Sequence, residues 1–176
     1  MSDIAKQISS FSVEKRQLLE RYLKAQSLNL SNVILPQRRD TNTFPLSFAQ
    51  QRLWFLDQLE PGNATYNCPA AVRFTGALNL AALEQSFNEV VRRHEVLRTT
   101  FVAVNGEPVQ VIAPASQLPL PVLDLSELPE EQREPEARLL AQAEAAQPFD
   151  LSTGPLVRVQ LLRLAAEEHV LLFTVH

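Results

Sequence analysis

Apolar and polar positions change their period several times along the chain, and each change marks an expected element. Near the start, Ser12 followed by Glu14 and Lys15 predicts a capped helix carrying Val13, Leu18, Leu19, Tyr22 and Leu23 at helical spacing. From Ser27 to Thr43 the chain turns polar, with Asn29, Ser31, Asn32, Pro36 and the Arg38-Arg39 pair, and reads as a linker. A second helix follows, in which Ser47 is the expected N-cap and Gln50 its capping-box partner. Leu53, Trp54, Leu56 and Leu59 repeat until Pro61-Gly62 stops the pattern. A strand over Tyr66 to Phe74 ends at Gly76. Asn79 then opens a strongly amphipathic helix whose Leu83, Phe87, Val90, Val91 and His94 share one face.

The second half reads mainly as strands. Asn105-Gly106 between alternating apolar runs predicts a β-hairpin with a two-residue turn. A short extended piece over Leu120 to Leu125 precedes a helix from about Pro135 to Ala146, with proline in its first turn, and Pro148-Phe149-Asp150 breaks it. Two strands complete the pattern. The first alternates through Leu156, Val157, Val159, Leu161, Leu162 and Leu164. The second, Val170 to Val175, is apolar everywhere except Thr174 and therefore belongs inside a sheet covered on both faces. Such a strand running to His176 reads as a fragment cut where an α/β sheet places its chemistry, with an apolar surface expected at the cut. The fold class expected is α/β, an α+β sandwich.

Composition narrows the function classes. The chain has 176 residues and a formal charge of −4, distributed as +3 over residues 1–40 and −7 over the rest. A net acidic chain is a poor partner for nucleic acid. The single cysteine, Cys68, allows no internal disulfide, and no Cys/His spacing suits a metal. No apolar run spans a membrane and no signal-peptide core is present, so a cytoplasmic location is expected.

Three stretches carry chemistry. Ser47-Phe48-Ala49-Gln50-Gln51-Arg52-Leu53-Trp54-Phe55-Leu56 and Arg93-His94-Glu95-Val96-Leu97-Arg98-Thr99-Thr100-Phe101 are long and specific, and Thr174-Val175-His176 stands at the end. Together they resemble the opening motifs of condensation domains of non-ribosomal peptide synthetases: S-x-A-Q-x-R-L-W-x-L, R-H-E-x-L-R-T-x-F and the start of H-H-x-x-x-D-G. The resemblance covers Phe44 to His176. The run Ser12-Val13-Glu14-Lys15-Arg16-Gln17-Leu18-Leu19 also resembles the short helical segments that precede such domains.

The resemblance implies the N-terminal lobe of a chloramphenicol acetyltransferase-like fold, two lobes in a V around a tunnel. Upstream and downstream carrier proteins bring substrates to it on phosphopantetheine arms, and no cofactor is bound directly. An acceptor amine attacks the donor thioester carbonyl and a peptide bond forms. His176 stands as the first histidine, in a supporting role. The second histidine, acting as base or as a positioning group, lies beyond it, so this chain is expected to be inactive as written. The form of the second motif looks most like domains that join two L-configured substrates.

The resulting organisation is a helical segment over 1–30, a linker over 31–43 and an incomplete condensation lobe over 44–176. The first segment is either a docking element for an upstream synthetase or a solvated helix on its own domain. A same-fold acyltransferase forming esters is the alternative activity.

Apart from the resemblance, most motif residues have structural explanations. Arg52 could anchor a wall by ion pairing, and Trp54 suits a packed core ring. His94 suits a hydrogen-bonded core or lobe-interface position. Arg93 and Arg98 lie at a helix C-terminus, where positive charge is favoured, and Glu95 pairs with one of them. His169 reads as a solvated turn residue and Cys68 as a buried, inert thiol.

Overall fold

The structure, a computed structural model, describes Ser12, Glu14, Lys15, Gln17, Leu18, Arg21 and residues 41–176. The chain divides into two units, Met1–Thr41 and Asn42–His176. In the first, Glu14, Lys15, Gln17, Leu18 and Arg21 are helical, and the Ser12 hydroxyl accepts the Lys15 N–H at 3.4 Å, as an N-cap does. The expected roles of Val13, Leu19, Tyr22, Leu23 and most of the linker lie outside the described residues.

The second unit runs β1 (Thr43–Pro45), α1 (Phe48–Leu59), β2 (Cys68–Thr75), α2 (Leu80–Arg93), a 3-10 turn (Glu95–Arg98), β3 (Thr99–Val104), β4 (Glu107–Ile112), β5 (Val122–Asp124), α3 (Glu130–Ala146), β6 (Val157–Ala165) and β7 (Glu168–Val175). Thr43, expected as the last linker residue, opens β1 instead, because it pairs with Val111 at the edge of β4.

One sheet has the order β1-β4-β3 and the other β2-β7-β6-β5. The β3–β4 hairpin closes with Val104 opposite Glu107, leaving Asn105 and Gly106 in the turn at φ of 53° and 83°. A two-residue hairpin loop of this twist needs positive φ at both positions, which Asn and Gly supply at low steric cost.

Strand β7 is central, antiparallel to β2 on one side and to β6 on the other. Its apolar run is used on both faces. Val170 and Leu172 pack with Leu125, Ala137, Leu162 and Leu164 beneath α3. Phe173 and Val175 pack with Val91, Leu118, Val157 and Val159 beneath α2. The edges of this sheet are β2, exposed at every residue but the half-buried Phe74, and the short β5, exposed throughout.

Three local expectations are corrected. Helix α3 starts at Glu130, about a turn before Pro135, which it carries inside. The proline forfeits one ladder bond. The early start is held by Arg133, which donates to the carbonyls of Leu128 and Ser126 at 2.9 Å each, and by the Glu134 ion pair to Arg73 on β2. His169 is 3% exposed rather than solvated, because the turn ends one residue earlier and His169 is already inside the central strand between Phe74 and Arg163. Cys68 is exposed rather than buried, because it opens the edge strand.

Candidate functional site

Helix α1 forms one wall of the site. Its start is fixed by the expected capping box: the Ser47 hydroxyl accepts the Gln50 N–H at 3.3 Å, and the Gln50 side chain accepts the Ser47 N–H at 2.8 Å. This places Leu53, Leu56 and Asp57 toward the end of β7. Strand β7 forms the other wall and delivers His176, whose N–H is bonded to the Leu156 carbonyl at 3.1 Å.

Two cavities meet at this histidine. The larger, 470 Å³, is lined mainly by apolar side chains, among them Leu53, Trp54, Tyr66, Val96, Leu97, Phe101, Leu151, Leu156 and Val175, with Gln50 and Cys68. The smaller, 310 Å³, carries Asp57, Glu60, Asn63 and Thr65 beside Leu56 and Leu59. Leu53, Tyr66 and His176 belong to both walls. Burial holds the His176 imidazole below the usual histidine range, while the Asp57 carboxylate pulls the other way. A neutral imidazole has one nitrogen free to accept a hydrogen bond.

The second motif shapes a corner next to this site. Arg98 is mostly buried, lies 3.5 Å from Glu95 and donates to the Ala113 carbonyl. Thr99 donates its hydroxyl to the Glu95 carbonyl at 2.8 Å. Glu95 thus pairs with Arg98, while Arg93 turns back along α2 to Glu89 at 2.6 Å.

Other motif residues sit differently from expectation. His94 caps α2 through its backbone and is exposed, because the chain turns outward into the 3-10 segment there; this rules out the core position but not the lobe-interface one. Arg52 is exposed and makes no ion pair with a described residue. Trp54 is a half-buried wall of the larger cavity instead of a closed core ring, since no residue of α1 is fully buried. The residues that motif reading misses are Asp57, Tyr66 and Leu156. Only the fold brings them to His176, and no local pattern marks them.

Comparison with known proteins matches this arrangement. The family described as Condensation domain matches residues 40–176. The chain belongs to this family. Among curated relatives it is 54% identical over 143 residues to a linear gramicidin synthase of Brevibacillus parabrevis, covering 81% of this chain and 3% of that protein. It is 42% identical over 177 residues to phosphinothricin tripeptide synthetase PhsC of Streptomyces viridochromogenes, covering 100% of this chain and 16% of that protein. The solved starter condensation domain of rhizomide synthetase RzmA superposes with a TM-score of 0.70 at 28% identity, over 76% of this chain and 33% of that one.

This condensation-domain chain therefore spans a small part of the curated relatives it matches and about a third of the solved neighbour. Its sheets and helices are those of the N-terminal lobe of a chloramphenicol acetyltransferase-like fold. Among the described residues no helix is long and apolar enough to cross a membrane.

Proposed function

We propose that this lobe takes part in peptide-bond formation between two carrier-protein-bound thioesters. The acceptor amine attacks the donor thioester carbonyl, the carbon–sulfur bond breaks, and the proton lost by the amine ends on the released thiol. Upstream and downstream carrier proteins present both substrates on phosphopantetheine arms, and His176 supports the second histidine of the H-H-x-x-x-D-G pattern that the family resemblance implies. The observation that carries this reading is the meeting of two cavities at His176, at the end of the central strand. Two substrates arriving from different sides need such a junction, and orientation there supplies much of the rate.

The test uses the full-length polypeptide with aminoacyl donor and acceptor carriers, reading the dipeptidyl carrier by intact-protein mass spectrometry. A dipeptidyl product is expected, and His176→Ala should lower its rate on the order of 10²-fold. Product from a hydroxyacyl acceptor but not from an aminoacyl one would replace this reading with ester formation. The residues after His176 are expected to read His, three variable positions, Asp and Gly.

A further inference from the structure

The imidazole of His176 has no side-chain hydrogen bond to any described residue, although a histidine used in chemistry must be held in one orientation. What touches it is a ring. Phe149, in the Pro148-Phe149-Asp150 break after α3, is 8% exposed and packs with Leu151, Leu156 and Phe101. It meets the imidazole edge-on, with centroids 6.2 Å apart and planes at 77°. That lies within the distance and angle preferred by aromatic pairs.

Phe149 is itself held. The Arg158 guanidinium carbon stands 3.8 Å from its ring centroid. Arg158 bonds the Glu144 carboxylate at 2.7 Å, and donates to the carbonyls of Glu144 at 3.2 Å, Gln147 at 2.8 Å and Pro148 at 3.2 Å. These are carbonyls at the end of α3, so the cation closes the helix terminus and stacks on the ring with the same planar group. A plain core position would need no half-buried cation making four such bonds there.

We propose that Phe149, fixed by Arg158, is a positioning residue for His176, which makes the end of α3 part of the site's scaffold. The role given to His176 rests on the condensation reading. The other titratable groups facing the imidazole are Asp57 on α1, Glu60 beyond it, and Tyr66 and Cys68 on the opposite wall. None of them shares a hydrogen bond with it, as donor or acceptor. Among the described residues, the ring contact is the side-chain interaction that orients it.

The experiment compares Phe149→Leu, Phe149→Tyr and Arg158→Met in the full-length protein, with two readouts. In condensation assays, Phe149→Leu should lower kcat ~10-fold with KM within about twofold, Arg158→Met should lower it less, and Phe149→Tyr should restore it. Independently of turnover, carbethoxylation of His176, followed by peptide mass mapping across pH, should be faster in Phe149→Leu, with its midpoint moved up toward the ordinary histidine range. Phe149→Leu that folds by circular dichroism yet leaves both kcat and the His176 profile unchanged overturns the proposal. If Phe149→Leu does not fold, Arg158→Met decides on the same readouts. A wild-type protein that forms no amide, but whose His176 profile still moves in the variants, would sink the condensation reading and leave the positioning role standing.

Discussion

Strands β6 and β7 and helix α1 meet at the same histidine, yet they are held in place differently. In the strands Leu161 and Leu162 are 0% exposed, and Val157 and Thr174 1%. In α1 no residue is buried, and Phe48, Phe55 and Leu59 are 91%, 56% and 61% exposed. The strands are fixed by apolar surface removed from water, at about 25 cal/mol per Å². The helix is fixed by local hydrogen bonds at its start, the capping box and the Gln51 N–H on the Ser47 carbonyl at 2.9 Å. The site consequently has one wall closed by burial and one whose start is fixed by hydrogen bonds.

The sharpest way to break this contrast is to remove one side chain from each wall. Leu162→Ala should cost about 2–5 kcal/mol, because its deletion leaves a cavity between α3 and the sheet. Phe55→Ala on α1 should cost less than about 0.5 kcal/mol, because its ring is largely in solvent already. Denaturant midpoints of the two variants measure the difference. Equal losses would mean that α1 is packed as the sheet is.

A smaller effect is expected at the loop entering β6. Gly154 has a φ of 59°, and a Cβ there would stand 2.8 Å from Thr100 Cγ2 on β3. Threonine is branched at Cβ and has little room to turn away. Gly154→Ala should therefore cost ~1–3 kcal/mol, from backbone strain and crowding together. A variant as stable as the wild type would show that this loop yields, and that the close packing of the buried wall stops at β6.

These outcomes also bear on what the sequence could reveal. The Ser47 cap, the Asn79 cap, the Asn105-Gly106 turn and the central place of β7 are legible because each depends on a few adjacent residues or one unbroken apolar run. The departures fall where distant residues decide. The start of α3 is set by Arg133 reaching carbonyls outside the helix, and the burial of His169 by strands on both sides. The strand position of Cys68 points it inward, whereas an edge strand leaves it exposed, and an outward turn keeps His94 out of the core. The motifs mark Trp54 and His176, but Asp57, Tyr66, Phe149 and Arg158 reach the site only through tertiary packing.

On the helical wall, Ser47→Ala should cost about 1 kcal/mol, as expected for an N-cap whose loss leaves a first-turn N–H without a partner. That would be larger than the effect of any single apolar truncation on the exposed face of α1, the reverse of the order in the sheet. Thermal unfolding of Ser47→Ala beside Phe55→Ala tests the order directly. A cap variant indistinguishable from wild type would shift the support of α1 to its partly buried Leu53 and Leu56.

The smallest effect belongs to a surface that neither burial nor capping governs. On α2, Glu89 accepts from Arg92 at 2.6 and 2.8 Å and from Arg93 at 2.6 Å, and these bonds lower its carboxyl from 4.5 to about 2. Because the folded pKa is depressed, the unfolded chain binds more protons between those values. The contribution is thus present above pH 4.5 and lost as pH falls toward 2. The three side chains are exposed and screened by salt, so the gain is slight. The melting-temperature difference between wild type and Glu89→Gln should be small at neutral pH, shrink at high salt, and close as acid protonates Glu89. A difference that persists unchanged through that window would mean that Glu89 acts through something other than its charge.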